Sequence, residues 1–149
     1  MIPVKNLFQL GAACALLMAV SASAAEPLCP VKGKAIKKSI SVKHNGGDVY
    51  FCCPGCKAAF SKAKNGGKFA AKANVQLIAT GQAKQVNCVV RTNKKVNPAQ
   101  SITASGVKVG FCCPGCKRKA SGLAGAAQTS FLFNNKKFNA AYKVGKAKE

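Results

Sequence analysis

Two nearly identical cysteine-rich stretches carry the chemistry legible in this chain. One is Val49-Tyr50-Phe51-Cys52-Cys53-Pro54-Gly55-Cys56-Lys57; the other, sixty positions on, is Val109-Gly110-Phe111-Cys112-Cys113-Pro114-Gly115-Cys116-Lys117. They differ at one position, Tyr50 against Gly110. Each is preceded by a lone cysteine: twenty-two residues separate Cys29 from Cys52, and twenty-three separate Cys88 from Cys112. Four thiols in a repeated pattern make either a soft-metal site or a disulfide site. The short spacings suit a metal, because a tight turn entering a helix can point two sulfurs at one ion about 2.3 Å away. The partial positive charge of a helix N-terminus also favours thiolate, the form that binds metal. Cys29 or Cys88 would then close the coordination sphere from the far side of a hairpin.

The elements that must position these sulfurs repeat as well. Ile40 and Val42 alternate with polar residues, Asn45-Gly46-Gly47-Asp48 follows, and Val49 to Phe51 resumes the apolar pattern. Alternation around a glycine-rich centre predicts a β-hairpin. The second half repeats it as Ile102, Ala104, Ser105-Gly106, then Val107, Val109 and Phe111. Pro54 and Pro114 suit the first turn of a helix. One helix is expected over about 54–64, stopping at Asn65-Gly66-Gly67, and another from about 114, weakening at Gly122 and Gly125. A short helix over 68–73 is expected between, and each unit is read as ending in a strand, 75–78 and 130–133. Tyr50, Phe51, Phe60, Phe69, Phe111, Phe131 and Phe133 are read as core. The fold class is α+β: two tandem hairpin–helix–strand modules, 26–85 and 86–142, then a basic tail, 143–149. Each module is about 60 residues, a size at which hydrophobic burial alone is marginal and a disulfide or structural metal usually assists.

The ends and the composition bound the function. Lys5, an apolar run from Leu7 to Val20 and the small residues Ser21-Ala22-Ser23-Ala24-Ala25 read as a secretory signal peptide, 1–24. The run is shorter than the roughly 20 residues of a membrane span. Cleavage removes Cys14 and leaves two sets of four cysteines in an exported, periplasmic or secreted protein with no transmembrane segment. Export means an oxidising compartment, where disulfides persist. The chain carries 24 Lys and Arg against three acids, a net charge of +21. The excess is almost all lysine and is spread along both halves. Nucleic-acid readers need a clustered basic face with a recognisable motif, and neither is present. An anionic envelope surface or an acidic protein fits such a lysine-rich surface better. With Glu26, Asp48 and Glu149 the only acids, carboxylate-driven catalysis is almost excluded, and no enzyme activity is expected. His44, the single histidine, has Ala104 as its counterpart in the second half and is read as a solvent-facing turn residue.

The pattern Cys-x22-Cys-x3-Cys with Phe before the second cysteine resembles the TRASH domain and its relative the YHS domain, treble-clef-like modules associated with heavy-metal trafficking, resistance and sensing. In the first half the matching residues include Cys29-Pro30-Val31, Gly46-Gly47, Tyr50-Phe51-Cys52, Cys56 and Phe60. The resemblance implies Cys29, Cys52 and Cys56 as metal ligands, and Cys88, Cys112 and Cys116 in the second half, for one heavy metal ion per module, zinc or copper. Many relatives carry a second cysteine just after the first. Lys32 and Arg91 stand near those places here, which leaves Cys53 and Cys113 as the natural fourth ligands. The second half departs further, with Ala120 in place of Phe60 and no Pro-Val after its first cysteine.

Adjacent cysteines pose a geometric question. On a strand, successive side chains point to opposite faces. One ion binds both Cys52 and Cys53 only if the strand has already bent there; otherwise one of them is left for a disulfide or for packing. Two other classes of function remain open. A disulfide-stapled exported scaffold would bind through its lysine-rich surface, with a pairing that sequence cannot give. A thiol–disulfide redox protein would use Cys53-Pro54-Gly55-Cys56, but it has no need of Cys29 or Cys88, and neither half has room for a thioredoxin core.

Overall fold

The computed structural model describes residues 26–145, so the expected signal peptide, 1–24, lies outside the described residues. Each half opens with an antiparallel hairpin: β1 (Lys37–His44) with β2 (Gly47–Phe51), and β4 (Asn97–Ala104) with β5 (Val107–Phe111). Both are closed by two-residue turns with left-handed backbone at each position, Asn45 (φ 47°) and Gly46 (87°), Ser105 (50°) and Gly106 (77°). Such turns follow the natural twist of paired strands, and Asn-Gly is their preferred sequence. Even the irregularity repeats, with a register shift between Lys37 and Ser41 and between Asn97 and Ser101.

Helices α1 (Pro54–Lys62) and α3 (Pro114–Ser121) follow directly, each with proline in the first turn. α1 gives way to a 3-10 turn, Lys64–Phe69, through Asn65, Gly66 and Gly67, all at positive φ. Gly66 is required there, because a side chain would strike the Phe60 ring. α2 (Ala70–Ala79) completes the first half's helices; α4 (Gly125–Phe133) and α5 (Asn135–Ala141) complete those of the second. The expected strands at 75–78 and 130–133 are therefore helical. Val75-Gln76-Leu77-Ile78 looks strand-like in isolation. The buried positions Ala70, Ala73 and Leu77 instead follow a helical period, and the Ala-rich run 70–73 favours helix.

The true closing strands come later. β3 (Ala83–Gln85) pairs antiparallel with β6 (Tyr142–Val144), so the last strand of one half bonds the last strand of the other. Lys143 and Val144, assigned from sequence to a frayed tail, thus belong to a sheet. The halves also share one apolar core, in which Phe51, Leu77 and Val49 meet Phe111, Leu132, Phe133 and Phe138. Tyr50, Phe69 and Phe131 are only partly buried, while Phe138 and Tyr142, stacked 5.0 Å apart, are core residues the sequence reading passed over. The described residues form a mixed α+β fold of three two-stranded sheets and five α-helices. No helix among them is long and apolar enough to cross a membrane.

The one mismatch in the nine-residue repeat has a packing cause. A Cβ at Gly110 would collide with the Val96 side chain, which lies over the strand there. Gly110→Ala should cost about 1–3 kcal/mol by overpacking. In urea denaturation, adding Val96→Ala to that variant should recover part of the loss, and a strictly additive pair would show that Val96 is not the obstacle.

Candidate metal centre

Three thiols converge in each half. The sulfurs of Cys29, Cys52 and Cys56 all lie within 4.8 Å of one another, and so do those of Cys88, Cys112 and Cys116. Cys52 to Cys56 is 3.6 Å and Cys112 to Cys116 is 3.7 Å. All eight cysteines of the described residues are free thiols. Cys53 and Cys113 stand beside these sets and outside them. Cys53 Sγ is 3.5 Å from Cys56 Sγ, and Cys113 Sγ is 3.8 Å from Cys112 Sγ. Both residues occupy the N-cap position with extended dihedrals, φ −158° and −156°, and each sulfur still approaches one member of its set.

The lone cysteines are held in tight turns whose amides face the sulfur. In the first half, Cys29 O accepts from Gly33 N–H at 2.7 Å, and Cys29 N–H donates to Lys34 O at 2.8 Å. The second turn is one residue longer, with Cys88 N–H donating to Lys94 O at 2.8 Å, which accounts for the twenty-three-residue gap. There Arg91 N–H donates to Cys88 Sγ at 3.4 Å. Burial raises the Cys29 thiol, but the backbone N–H groups of Lys32, Cys52 and Val31 outweigh it and hold the thiol below its ordinary value. Cys88 is lowered in the same way, burial being outweighed by the amides of Arg91, Cys112 and Val90. The inner helix cysteines go the other way: burial, with neighbouring thiols adding to it, pushes Cys56 and Cys116 up to about 12. Burial also raises Cys52 and Cys112. At the helix starts, Cys53 and Cys113 make no formal capping bond. The backbone N–H of Cys56 or Cys116 nevertheless draws each thiol down to about 7.

A glutamine clamps each cluster together. Gln76, 2% exposed, accepts from Tyr50 N–H at 2.6 Å and donates to Tyr50 O at 2.9 Å and Leu28 O at 2.8 Å. Leu28 precedes Cys29, and Tyr50 lies two residues before Cys52, so one amide ties the lone-cysteine turn to the strand that carries its partner. Gln85 does the same in the second half. It accepts from Gly110 N–H at 2.8 Å and donates to Gly110 O at 2.8 Å and Asn87 O at 2.9 Å. These two glutamines were not singled out from sequence. They are nine positions apart rather than sixty, and Gln85 belongs by sequence to the first half, so the repeat conceals their equivalence.

His44 is not a solvent-facing residue. It is buried, its ring edge-on to Phe60 at 5.3 Å. Burial lowers its pKa against the opposing Asn135 and Asn74 side chains, which favours the neutral ring. The neighbouring Asn45 donates to Asn74 Oδ1 at 2.8 Å and to Asn135 Oδ1 at 2.9 Å, forming a polar link between the halves. His44 takes no part in either cysteine set.

No family model, curated protein or solved structure matches this chain. Two outcomes follow from the geometry. In reduced, metal-free protein pulsed with iodoacetamide at pH 7, Cys53 and Cys113 should be labelled first, since a half-exposed thiol near 7 is about half thiolate there. Labelling of Cys29 ahead of Cys53 would contradict the assigned geometry. Gln76→Met should lower stability by roughly 1–3 kcal/mol through unpaired backbone groups. It should also speed alkylation of Cys29 and leave Cys88 protected, a half-specific effect that peptide mapping would resolve.

Proposed function

We propose that each half holds one soft metal ion, of the zinc or copper class, through its three converging cysteines. Cys29, Cys52 and Cys56 serve the first half, and Cys88, Cys112 and Cys116 the second. The observation that carries this reading is the three-way approach of mostly buried sulfurs, duplicated in one chain. The donor set fits such an ion. With metal–sulfur bonds of about 2.3 Å, tetrahedral ligands sit about 3.8 Å apart, close to the 3.6 and 3.7 Å found. Three thiolates suit copper(I), and a fourth donor would complete a zinc site. Zinc and copper(I) alike would draw protons from Cys56 and Cys116, and backbone N–H groups already favour the thiolates of Cys29 and Cys88.

We further read the ion as cargo for trafficking or resistance in an exported protein, in keeping with the TRASH/YHS resemblance, and expect no catalysis. The shared apolar core supports cargo over cement, because it gives both halves a source of stability apart from the metal. The disulfide-scaffold reading is less well supported. The closest sulfurs are 3.5 Å apart, far from the bonded distance of about 2.05 Å.

Native mass spectrometry of protein taken from its own compartment without reductant should show two metal ions per chain, lost on denaturation with the thiols then free to alkylate. Cys56→Ser should remove the ion of the first half alone, and Cys116→Ser that of the second. At ligand 100-fold above Kd, each filled site should add about 2.7 kcal/mol of stability. A metal-free mass about 2 Da lower per cysteine pair would instead identify disulfides.

A further inference from the structure

In both halves a fourth thiol stands at the mouth of the cluster without entering it. Cys29, Cys56, Cys88 and Cys116 are buried, at 5% exposure or less, while Cys53 and Cys113, like the inner ligands Cys52 and Cys112, are only partly buried. The Cys53 sulfur touches the set at Cys56, 3.5 Å away, and the Cys113 sulfur at Cys112, 3.8 Å away. Neither comes within 4.8 Å of all three inner sulfurs, although ligands of one tetrahedral ion sit about 3.8 Å apart. The ground beside each thiol is open. A side chain added at exposed Gly55 or Gly115 would meet nothing within 4 Å except the Cys53 or Cys113 sulfur itself, at 3.9 and 4.0 Å. A duplicated thiol that touches one member of the set, does not reach all three, and has open space beside it is poorly placed as a resident ligand and well placed as a transfer point.

Resting on the metal-holding reading above, we propose that Cys53 and Cys113 are exchange ligands, through which the ion passes between the inner three sulfurs and a thiol-bearing carrier. On loading, the Cys53 sulfur bonds the metal as a carrier sulfur releases it, and the Cys53 proton goes to the departing carrier thiolate. An inner sulfur then bonds the metal, and its proton returns to Cys53 as that residue lets go. One metal–ligand bond replaces another at each step, with no change of oxidation state. The two steps repeat until all three inner sulfurs hold the ion; each carrier thiolate released takes one proton, and an inner thiol with no carrier counterpart displaces a water ligand and gives its proton to solvent. Unloading runs in reverse. The carrier class is set by this chemistry: a soft-metal complex with exchangeable thiolates.

The test uses the full chain, loaded separately with zinc and with copper(I), and a synthetic Cys-x-x-Cys peptide as acceptor. The variant is Cys53→Ser with Cys113→Ser. Serine is a preferred N-cap residue, so α1 and α3 keep their starts. Two ions per chain should be retained and affinity should change by less than about tenfold, below the range for loss of even an outer-shell partner. Peptide-dependent transfer, followed by stopped flow, should slow by at least about tenfold, since it then lacks its intermediate ligand. An affinity loss beyond tenfold would make these cysteines resident ligands, and an unchanged transfer rate would make them bystanders; either result overturns the proposal. If the unaltered chain takes up neither metal, the metal-holding reading itself fails, and the loading step shows this before any rate is measured.

Discussion

The carbonyl before each lone cysteine and the outer edge of the following hairpin are held by a single glutamine amide. A primary amide offers two N–H donors and an accepting oxygen. Gln76 and Gln85 use both donors and the oxygen, each satisfying both polar groups of one β residue and a carbonyl in the lone-cysteine turn. Buried backbone groups left unpaired are costly, so the clamp is set by the needs of the strand edge. Its effect on the thiols is indirect: Cys29 and Cys88 are brought to Cys52 and Cys112 because the turn and the strand cannot separate without breaking one arm of the clamp. Gln82 adds a second bracket to the first hairpin, accepting from Asp48 N–H at 2.7 Å and donating to Asp48 O at 2.9 Å.

That arrangement also explains why the halves stay together. Gln85 comes from the first half and completes the second, and its strand β3 pairs with β6. Asn45 reaches across to Asn135, and Asn135 donates to Asn65 O at 2.9 Å. The Phe51 and Phe111 side chains, each just before a cysteine pair, are both fully buried in the common core. Packing thus fixes the strand end from which each cluster starts. The halves are not interchangeable. His44, Phe60 and Gly66 build a block in the first half that Ala104 and Ala120 cannot reproduce.

Charge sets a second condition. A chain with net charge +21 has few anions of its own, and Asp48 is engaged by Lys43 at 2.8 Å. Thiolates formed on metal binding would be local negative charges on a positive surface, with Lys57 following Cys56 and Lys117 following Cys116. Positively charged surroundings attract an anionic metal–thiolate complex from a distance, and the attraction weakens with salt. A lysine-rich surface is therefore compatible with the proposed soft-metal exchange.

The duplicated cysteine pattern, the hairpins and the proline-started helices were legible in sequence because each rests on local chemistry. Asn-Gly and Ser-Gly turns, alternation along 40–42 and 102–104, and proline after a cysteine pair all act within a few residues. So was the doubt over adjacent cysteines, since the alternation of an extended backbone needs no knowledge of the fold. Four-residue apolar runs at 75–78 and 130–133 were not decidable, because helix and strand differ there only in what lies on either side. Nor could the sequence disclose which strand would pair with which. β3 meets β6 across more than fifty residues of chain, and Gln76 and Gln85 occupy equivalent places while breaking the sixty-residue repeat. The residue types capable of chemistry were thus a property of the sequence. Which three sulfurs face one another, and which fourth stands beside them, was decided by tertiary structure, because only the folded chain brings Cys29 and Cys88 to their hairpins.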